Sequence, residues 1–483
     1  MKNSKAISLL KSFSASELKE FRLFIRSPFF NREKVHEKLF MLLKKYHPAY
    51  PEDKIQKEKI YLKLFPGRKY NDGAMRNVIS DFQRLEMEFL RLKGMGENVY
   101  LKEHFLMDEL MKRNKPVLFN KIQRKAVDAL NGSFKDHSFF HNSYLLNGLE
   151  ENLAVKTHDR FLIRKFDKSL MENFLPYMIL QLLYLNSKIL NSNKMINEVE
   201  NIPILDGEIT GFLETAGNKY MELTYVNCYY LMYKMFKTGD DKYFFELKDA
   251  LIHRFMEIEN TILRNLFTSL ENYAVEKIDS GNHEFYNELF LIYRFMVEKK
   301  LYTGSFGHMR HIFYLNIVSI GLEAGQMEWV ENFIKLYKDE VYIEFRNDAY
   351  QLAKAIICYW KGDYDNSVTL VSKISSDDFA FKINVRSLYL KIYFDLNETE
   401  SFYSHIDALR HYYTKSKQIS PGLRNMLSDY VNYTKRLFDL KNGTVIDEYE
   451  LIKIKDEIAR KQNMLNKTWL LKKVSEVENS KTR

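Results

Sequence analysis

Three stretches of this chain can be laid over one another: Ala324-Gly325-Gln326-Met327-Glu328-Trp329, Lys361-Gly362-Asp363-Tyr364-Asp365-Asn366, and Leu396-Asn397-Glu398-Thr399-Glu400-Ser401. In each, the glycine or asparagine at the second position can take the left-handed backbone geometry that ends a helix. An acid then follows within the first turn of the next helix, near the positive end of its dipole. Apolar residues recur at matched offsets from the turn residue: Ile334, Val371 and Ile406 nine after it, Tyr337, Ile374 and Leu409 twelve after it, and Leu322, Tyr359 and Phe394 three before it. Each stretch therefore predicts a helix, a tight turn and a second helix running back along the first.

Gly239 and Gly281 extend the series toward the N-terminus, and the five turn residues stand 42, 44, 37 and 35 positions apart. Periods in this range mark helical-hairpin arrays. With the turn chemistry and small residues such as Ala353 and Ala355, the units from Lys219 to Tyr413 resemble tetratricopeptide-type hairpins. That resemblance implies an α-solenoid. It also implies a binding role, because the family takes partners as varied as peptides, other proteins and its own domains; it carries over no catalytic residue. Only 8 prolines and 18 glycines occur in 483 residues, below the roughly 5% and 7% of average chains. Long helices and an all-α fold class follow.

The N-terminal region reads differently. Ser14-Ala-Ser-Glu17 is a capping-box signature, and Leu18, Phe21, Phe24 and Ile25 behind it form one apolar stripe. Ser27-Pro28 ends that helix, since a residue before proline is pushed out of helical geometry. Asn31 is expected to cap the next helix, which carries Val35, Leu39, Leu42 and Leu43 on one face and ends at His47-Pro48. A helix around Ile55 to Phe65 stops at Pro66-Gly67. A longer one opens after Asn71 with Met75, Val78, Ile79, Phe82, Leu85 and Phe89 inward, and Gly94 and Gly96 are expected to close it. The run Leu18-Lys-Glu-Phe21, Ser27-Pro-Phe-Phe-Asn31, Lys63-Leu-Phe65-Pro66 and Tyr70-Asn71 resembles the opening of uncharacterised helical-repeat proteins common in Bacteroidota. The closing Trp469-Leu-Leu-Lys-Lys is similar to their ends; the likeness implies a bacterial source. The expected organisation is a basic helical domain over residues 1–95, connecting helices and irregular first hairpins over 96–218, the hairpin array over 219–415, and C-terminal helices over 416–483. In the last region Leu451, Ile454, Ile458, Leu465 and Trp469 suggest one amphipathic helix that caps the array.

The apolar stretch Ala6 to Leu10 is cut by Lys11, shorter than the roughly 7 residues of a secretory core. Phe174 to Leu185 holds Pro176 and Gln181 and falls short of the roughly 20 residues that span a bilayer. A cytoplasmic protein without a membrane partner is expected. Cys228 and Cys358, each among aromatics and without a second cysteine at ligand spacing, read as buried reduced thiols. His137 and His141 share a helix face behind Asp136, but the intervening Ser-Phe-Phe lacks the glutamate of a zinc-protease helix. His308 and His311 are a weaker pair, with Gly304 and Gly307 placing the first at a helix start. Pro66-Gly-Arg-Lys-Tyr-Asn-Asp-Gly73 lacks the Gly-Lys-Ser/Thr ending of a phosphate loop and reads as a turn between helices. No metal, cofactor or catalytic residue is expected, and the chain is not read as an enzyme.

Charge is distributed unevenly. Residues 1–125 hold 28 Lys and Arg against 15 Asp and Glu, a balance of +13, whereas the whole chain carries +9. The turn at Pro66-Gly67 between two helices resembles a helix-turn-helix, in which Arg68, Lys69, Arg76, Asn77 and Arg84 are candidate nucleic-acid contacts, with Ser80 and Gln83 beside them. Asp81, Glu86 and Glu88 on the same helix oppose that reading through phosphate repulsion, and no room remains for a β-hairpin wing. Tyr225, Tyr229 and Tyr233, with Tyr230, sit at helical spacing; such aromatics mostly fill cores, and otherwise line a partner groove. The expected function is a non-enzymatic scaffold for a protein or peptide; the alternative is a DNA-binding regulator acting through the N-terminal domain.

Overall fold

The computed structural model of the chain describes all residues except 2–3, 98, 197–201, 304–306, 417–418, 444–446, 462–463 and 480–483. About 78% of the chain is helical. Among the described residues there are 23 α-helices and no β-strand, only a single bridge between Met309 and Val341. No described helix is long and apolar enough to cross a membrane. The chain divides into two compact units, Met1–Ser133 with Asn142–Met171, and Phe134–His141 with Glu172–Arg483.

Unit 1 holds α1 (Lys5–Ser12), α2 (Ala15–Arg26), α3 (Lys34–Lys44), α4 (Lys57–Leu64), α5 (Asp72–Glu97), α6 (Val99–Lys112) and α7 (Pro116–Asn131). It also takes part of α8 (His137–Lys156) and of α9 (Arg160–Ile196). The capping box forms: Ser14 Oγ accepts from Glu17 N at 3.2 Å, and Glu17 Oε2 accepts from Ser14 N at 2.7 Å. Asn71 caps α5 by accepting from Ala74 N at 2.9 Å. Helices α1 to α4 all pack on α5, around a core in which Phe21 meets Phe13, Phe40, Phe82 and Phe89 with ring centroids 5.2–5.8 Å apart.

Two expectations about this unit need correction. Asn31 does not cap α3, whose N-cap is Glu33; instead its amide donates to Ile25 O at 2.8 Å while Oδ1 accepts from Glu33 N at 3.1 Å. It ties the end of α2 to the approach of α3, so the asparagine is a latch across the turn. Gly94 and Gly96 do not end α5, which continues to Glu97. A helical glycine costs only about 1 kcal/mol relative to alanine, and neither residue takes positive φ.

Unit 2 contains the later part of α9 followed by α10 (Asp206–Glu214), α11 (Thr224–Thr238), α12 (Asp241–His253), α13 (Asn260–Asp279), α14 (Phe285–Glu298), α15 (His311–Glu323), α16 (Met327–Leu336), α17 (Arg346–Trp360), α18 (Tyr364–Val371), α19 (Phe379–Leu396), α20 (Thr399–Lys415), α21 (Pro421–Lys441), α22 (Glu448–Arg460) and α23 (Lys467–Asn479). From α11 onward consecutive helices pack in pairs, as expected of a helical array. All five anticipated turn residues are left-handed, with φ of +68° at Gly239, +97° at Gly281, +73° at Gly325, +76° at Gly362 and +59° at Asn397. Four of the turns share one bond, from the residue after the turn back to the carbonyl five positions earlier: Asn282 to Lys277, Gln326 to Gly321, Asp363 to Cys358 and Glu398 to Tyr393, at 2.8–3.1 Å. The matched apolar positions Ile334, Val371 and Ile406 are all buried. First helices of successive pairs also pack on one another at three steps, α11 on α13, α15 on α17 and α17 on α19, and α14 on α15 joins these into a row. At Gly321 the approach of α16 leaves no space for a Cβ, which would collide with Val330 Cγ2.

The single C-terminal helix expected from Leu451 to Trp469 is two helices. α22 ends at Arg460, Asn466 turns left-handed with φ of +55°, and α23 then packs against α21, α22 and α13. Its side chains reach far along the row. Tyr286 OH donates to Thr468 Oγ1 at 3.0 Å, Trp469 Nε1 donates to Tyr359 OH at 2.8 Å, and Tyr359 OH donates to Asp395 Oδ2 at 2.7 Å. Lys473 meets Asp395 at 2.5 Å, with the two side chains 10% and 9% exposed. Leu470, Val474 and Val477 are buried beside Phe394 and Phe438. The helix therefore covers the last hydrophobic pairs, and its polar residues bind the start of α14 and the ends of α17 and α19.

Candidate functional site

The five cationic and polar residues singled out in the N-terminal region, Arg68, Lys69, Arg76, Asn77 and Arg84, are all exposed. Arg76 is engaged with Asp72 one turn earlier on α5, Arg84 pairs with Asp81 at 2.9 Å, and the Arg68 guanidinium lies 5.7 Å from the Phe65 ring centre. Two of the three arginines thus already hold carboxylates. Asp72, which also accepts from Tyr70 OH at 2.8 Å, is drawn down to a pKa of about 2 chiefly by that bond and by Arg76. Glu86, expected to face outward and repel phosphate, is instead fully buried in the α5 core face. Gln83 is half-buried and Ser80 is exposed.

The histidine pairs do not converge on a common ligand position. His137 Nε2 lies 3.4 Å from Ser138 Oγ, whereas the His141 ring packs on Tyr177 at 5.0 Å. His308 precedes α15 rather than opening it, and Gly304 lies outside the described residues. His311 is buried against Phe345 and Phe381, and burial lowers its pKa although Asp378 stands 3.5 Å away. Among the described residues no group of three His, Cys, Asp or Glu side chains is placed to hold a metal ion. Burial pushes the Cys228 thiol up to about 12 and raises the half-buried Cys358 as well.

The tyrosines of α11 divide by what their hydroxyls do. Tyr225 OH accepts from Glu259 N at 2.8 Å, joining α11 to the start of α13. Tyr233 OH donates to Asp206, a carboxylate that Lys237 also holds at 2.6 Å, and Tyr230 OH donates to Glu214 at 2.6 Å. These three fasten α11 to its neighbours. Tyr229 does something else: its ring packs edge-on against Tyr184 at 5.7 Å and forms part of the wall of a cavity of about 220 Å³.

Three helices of unit 2 line that cavity, each with residues at helical spacing. α9 contributes Tyr184, Ser187, Lys188 and Asn191; α11 contributes Tyr229, Met232 and Phe236; α13 contributes Asn265, Leu266, Thr268, Ser269 and Asn272. Positions i, i+3, i+4 and i+7 fall on one helix face, so each helix turns one stripe toward a shared trough. The α11 stripe is an apolar floor, and the α9 and α13 stripes are polar walls. Thr268 Oγ1 donates to Arg264 O at 3.0 Å, Ser269 Oγ to Asn265 O at 3.1 Å, and Ser187 Oγ to Leu183 O at 2.7 Å. Their protons are used within their own helices, and the hydroxyl oxygens remain as acceptors. The amides of Asn265 and Asn272 make no side-chain hydrogen bond among the described residues. Among the described residues of the lining Lys188 alone is charged, its amine 6.0 Å from the Tyr184 ring centre.

Tyr229 is among the groove candidates of the sequence, whereas Asn265, Thr268, Ser269 and Asn272 are not; they stand opposite buried Leu263, Phe267 and Leu270, where polar residues ordinarily meet solvent. The available signal was the unbroken, uncharged polar stripe Asn265, Thr268, Ser269 and Asn272. Comparison with family models, curated proteins and solved structures finds no match to this chain.

Proposed function

We propose that this chain is a non-enzymatic scaffold of the tetratricopeptide-like kind, and that unit 2 holds a segment of another protein against its first helices. The trough between α9, α11 and α13 is the observation that supports this reading. Most polar groups at helix contacts in this unit are spent on neighbours, as with Tyr225, Tyr233 and Tyr359. The trough walls instead gather carboxamides and hydroxyl acceptors around an apolar floor, the mixture with which concave sites orient a ligand.

The test is site-specific photo-crosslinking in cells that make the protein, with a benzophenone side chain replacing Asn272 or, as control, exposed Lys242 on α12. Adducts of discrete mass from position 272 and none of the same mass from position 242 are expected. Identical patterns at both positions, or no adduct at 272 in an intact, folded chain, would overturn the reading.

A further inference from the structure

We propose that the trough takes an extended strand of polypeptide, recognised through its backbone amides by Asn265 and Asn272 and through one acidic side chain by Lys188. This rests on the scaffold reading above and specifies the chemistry of the partner.

Length is the first argument. Asn265 and Asn272 are seven residues apart on α13, a rise of about 10.5 Å at 1.5 Å per helical residue. An extended chain advances about 3.3 Å per residue, so the wall matches three residues of strand. A carboxamide offers an acceptor and two donors, complementary to the N–H and C=O of a peptide unit. The two asparagines are therefore spaced to engage peptide units three residues apart. Between them, Thr268 and Ser269 present hydroxyl acceptors, their protons already given to Arg264 O and Asn265 O. Acceptors in the middle of the wall suit the N–H donors of a strand and repel a phosphate or carboxylate laid along it.

The floor and rim set the side chains. Successive residues of a strand point to opposite faces. A residue aimed down meets Met232 and Phe236 and should be apolar; its immediate neighbour points up to the rim, where exposed Lys188 stands. Among the described residues of the lining there is no acid, and the Lys188 ammonium favours an acidic side chain there. The recognised element is an apolar residue adjacent to an aspartate or glutamate, in extended chain.

The experiment uses the full chain and an array of acetylated, amidated octapeptides whose two central positions run through all residue pairs. Retained peptides should be enriched in pairs that join an apolar and an acidic residue. Methylating the three central backbone nitrogens, which removes N–H donors and leaves side chains unchanged, should weaken binding about tenfold or more, and so should Asn265→Leu with Asn272→Leu. Lys188→Glu, at an exposed position, should exchange the preference for acids for one for Lys or Arg; this arm stays decisive if the double asparagine variant fails to fold. Binding that survives backbone methylation, including binding of a ligand other than a strand, overturns the proposal, as does an acid preference unchanged in Lys188→Glu. If position 272 crosslinks a partner in cells while no octapeptide is retained above the level of the double variant, the scaffold reading stands and the strand proposal falls.

Discussion

Replacing Glu86 with methionine should stabilise unit 1 at neutral pH and abolish a pH dependence that the glutamate imposes on it. Glu86 is 0% exposed, neither carboxylate oxygen has a hydrogen-bond partner among the described residues, and burial pushes its pKa up to about 9. The nearby Tyr50 hydroxyl is also buried without a partner, and its pKa rises through burial and through the charge of Glu86. In an unfolded chain a glutamate titrates near 4.3. Between these two values the folded state keeps a proton that the unfolded state has released. Stability is then full below about pH 4.3 and falls by about 1.4 kcal/mol for each pH unit as the pH rises toward 9. From pH 5 to pH 8 the loss is about 4 kcal/mol, large against the roughly 5–15 kcal/mol of a whole domain. Methionine fills nearly the same volume with an unbranched, uncharged chain, so the variant should show no such slope and should exceed the native protein by about 5 kcal/mol at pH 8. All three tryptophans, Trp329, Trp360 and Trp469, lie in unit 2, so fluorescence cannot follow this change. Hydrogen-exchange protection of α5 amides between pH 5 and 8, corrected for intrinsic exchange, reads it directly. A native protein whose corrected α5 protection is flat across that range, or a Glu86→Met variant with weaker protection at pH 8, would refute the reasoning.

In unit 2, Lys473→Met should cost about 3–5 kcal/mol, because buried Asp395 loses its cation and keeps only the Tyr359 hydroxyl, whereas Asp395→Leu should cost less, since Lys473 still pairs with Glu476 at 2.8 Å, and the double variant should lose less than the two single losses together. Urea unfolding followed by tryptophan fluorescence measures the cycle, and additive single losses would show that the pair is not coupled. Gly321→Ala should destabilise the same unit by about 1–2 kcal/mol, because crowding against Val330 exceeds the roughly 1 kcal/mol of helix propensity gained; an unchanged unfolding midpoint would mean that α16 yields freely. Toward a thiol reagent at pH 8, Cys358 should react first, with Cys228 silent until denaturant is added, since burial holds the Cys228 thiol near 12. Equal rates for both thiols would contradict the packing of α11. His405, half-buried and with its pKa held down to about 4 by desolvation and by Arg386, takes up a proton mainly on unfolding. Its contribution to stability is present above about pH 6.5 and lost as the pH falls toward 4, and His405→Gln should flatten that loss in an acid titration of unfolding midpoints.

What could be read from the sequence was local. Gly239, Gly281, Gly325, Gly362 and Asn397 end their helices as expected because left-handed geometry is a property of one residue and its neighbours. The capping box at Ser14 closes within four residues, and the matched offsets of Ile334, Val371 and Ile406 need only the period of a helix. Where local signs were weak, tertiary packing decided. Two glycines could not stop α5, since the penalty of each is small beside the burial along that helix. Asn31 was drawn from a capping role to Ile25 O by the fold of the turn around it. The stripe ending at Trp469 could not show the break at Asn466, because Trp469 is positioned by Tyr359, 110 residues away in sequence.

The site lay beyond the sequence for the same reason. Tyr184, Tyr229 and Asn272 stand on three helices that nothing local brings together, and Asn272 becomes a wall residue only because α9 and α11 stand across from it. Likewise Glu86 carries no mark that separates it from Glu88 two positions on, yet one is buried and the other holds Arg91 at the surface. The sequence by itself determined an all-helical chain, its array of paired helices and the turns that build it, through backbone preferences acting over a few residues. The trough, the course of α23 and the burial of Glu86 were decided only by the tertiary structure, because each depends on which faces meet once distant helices pack.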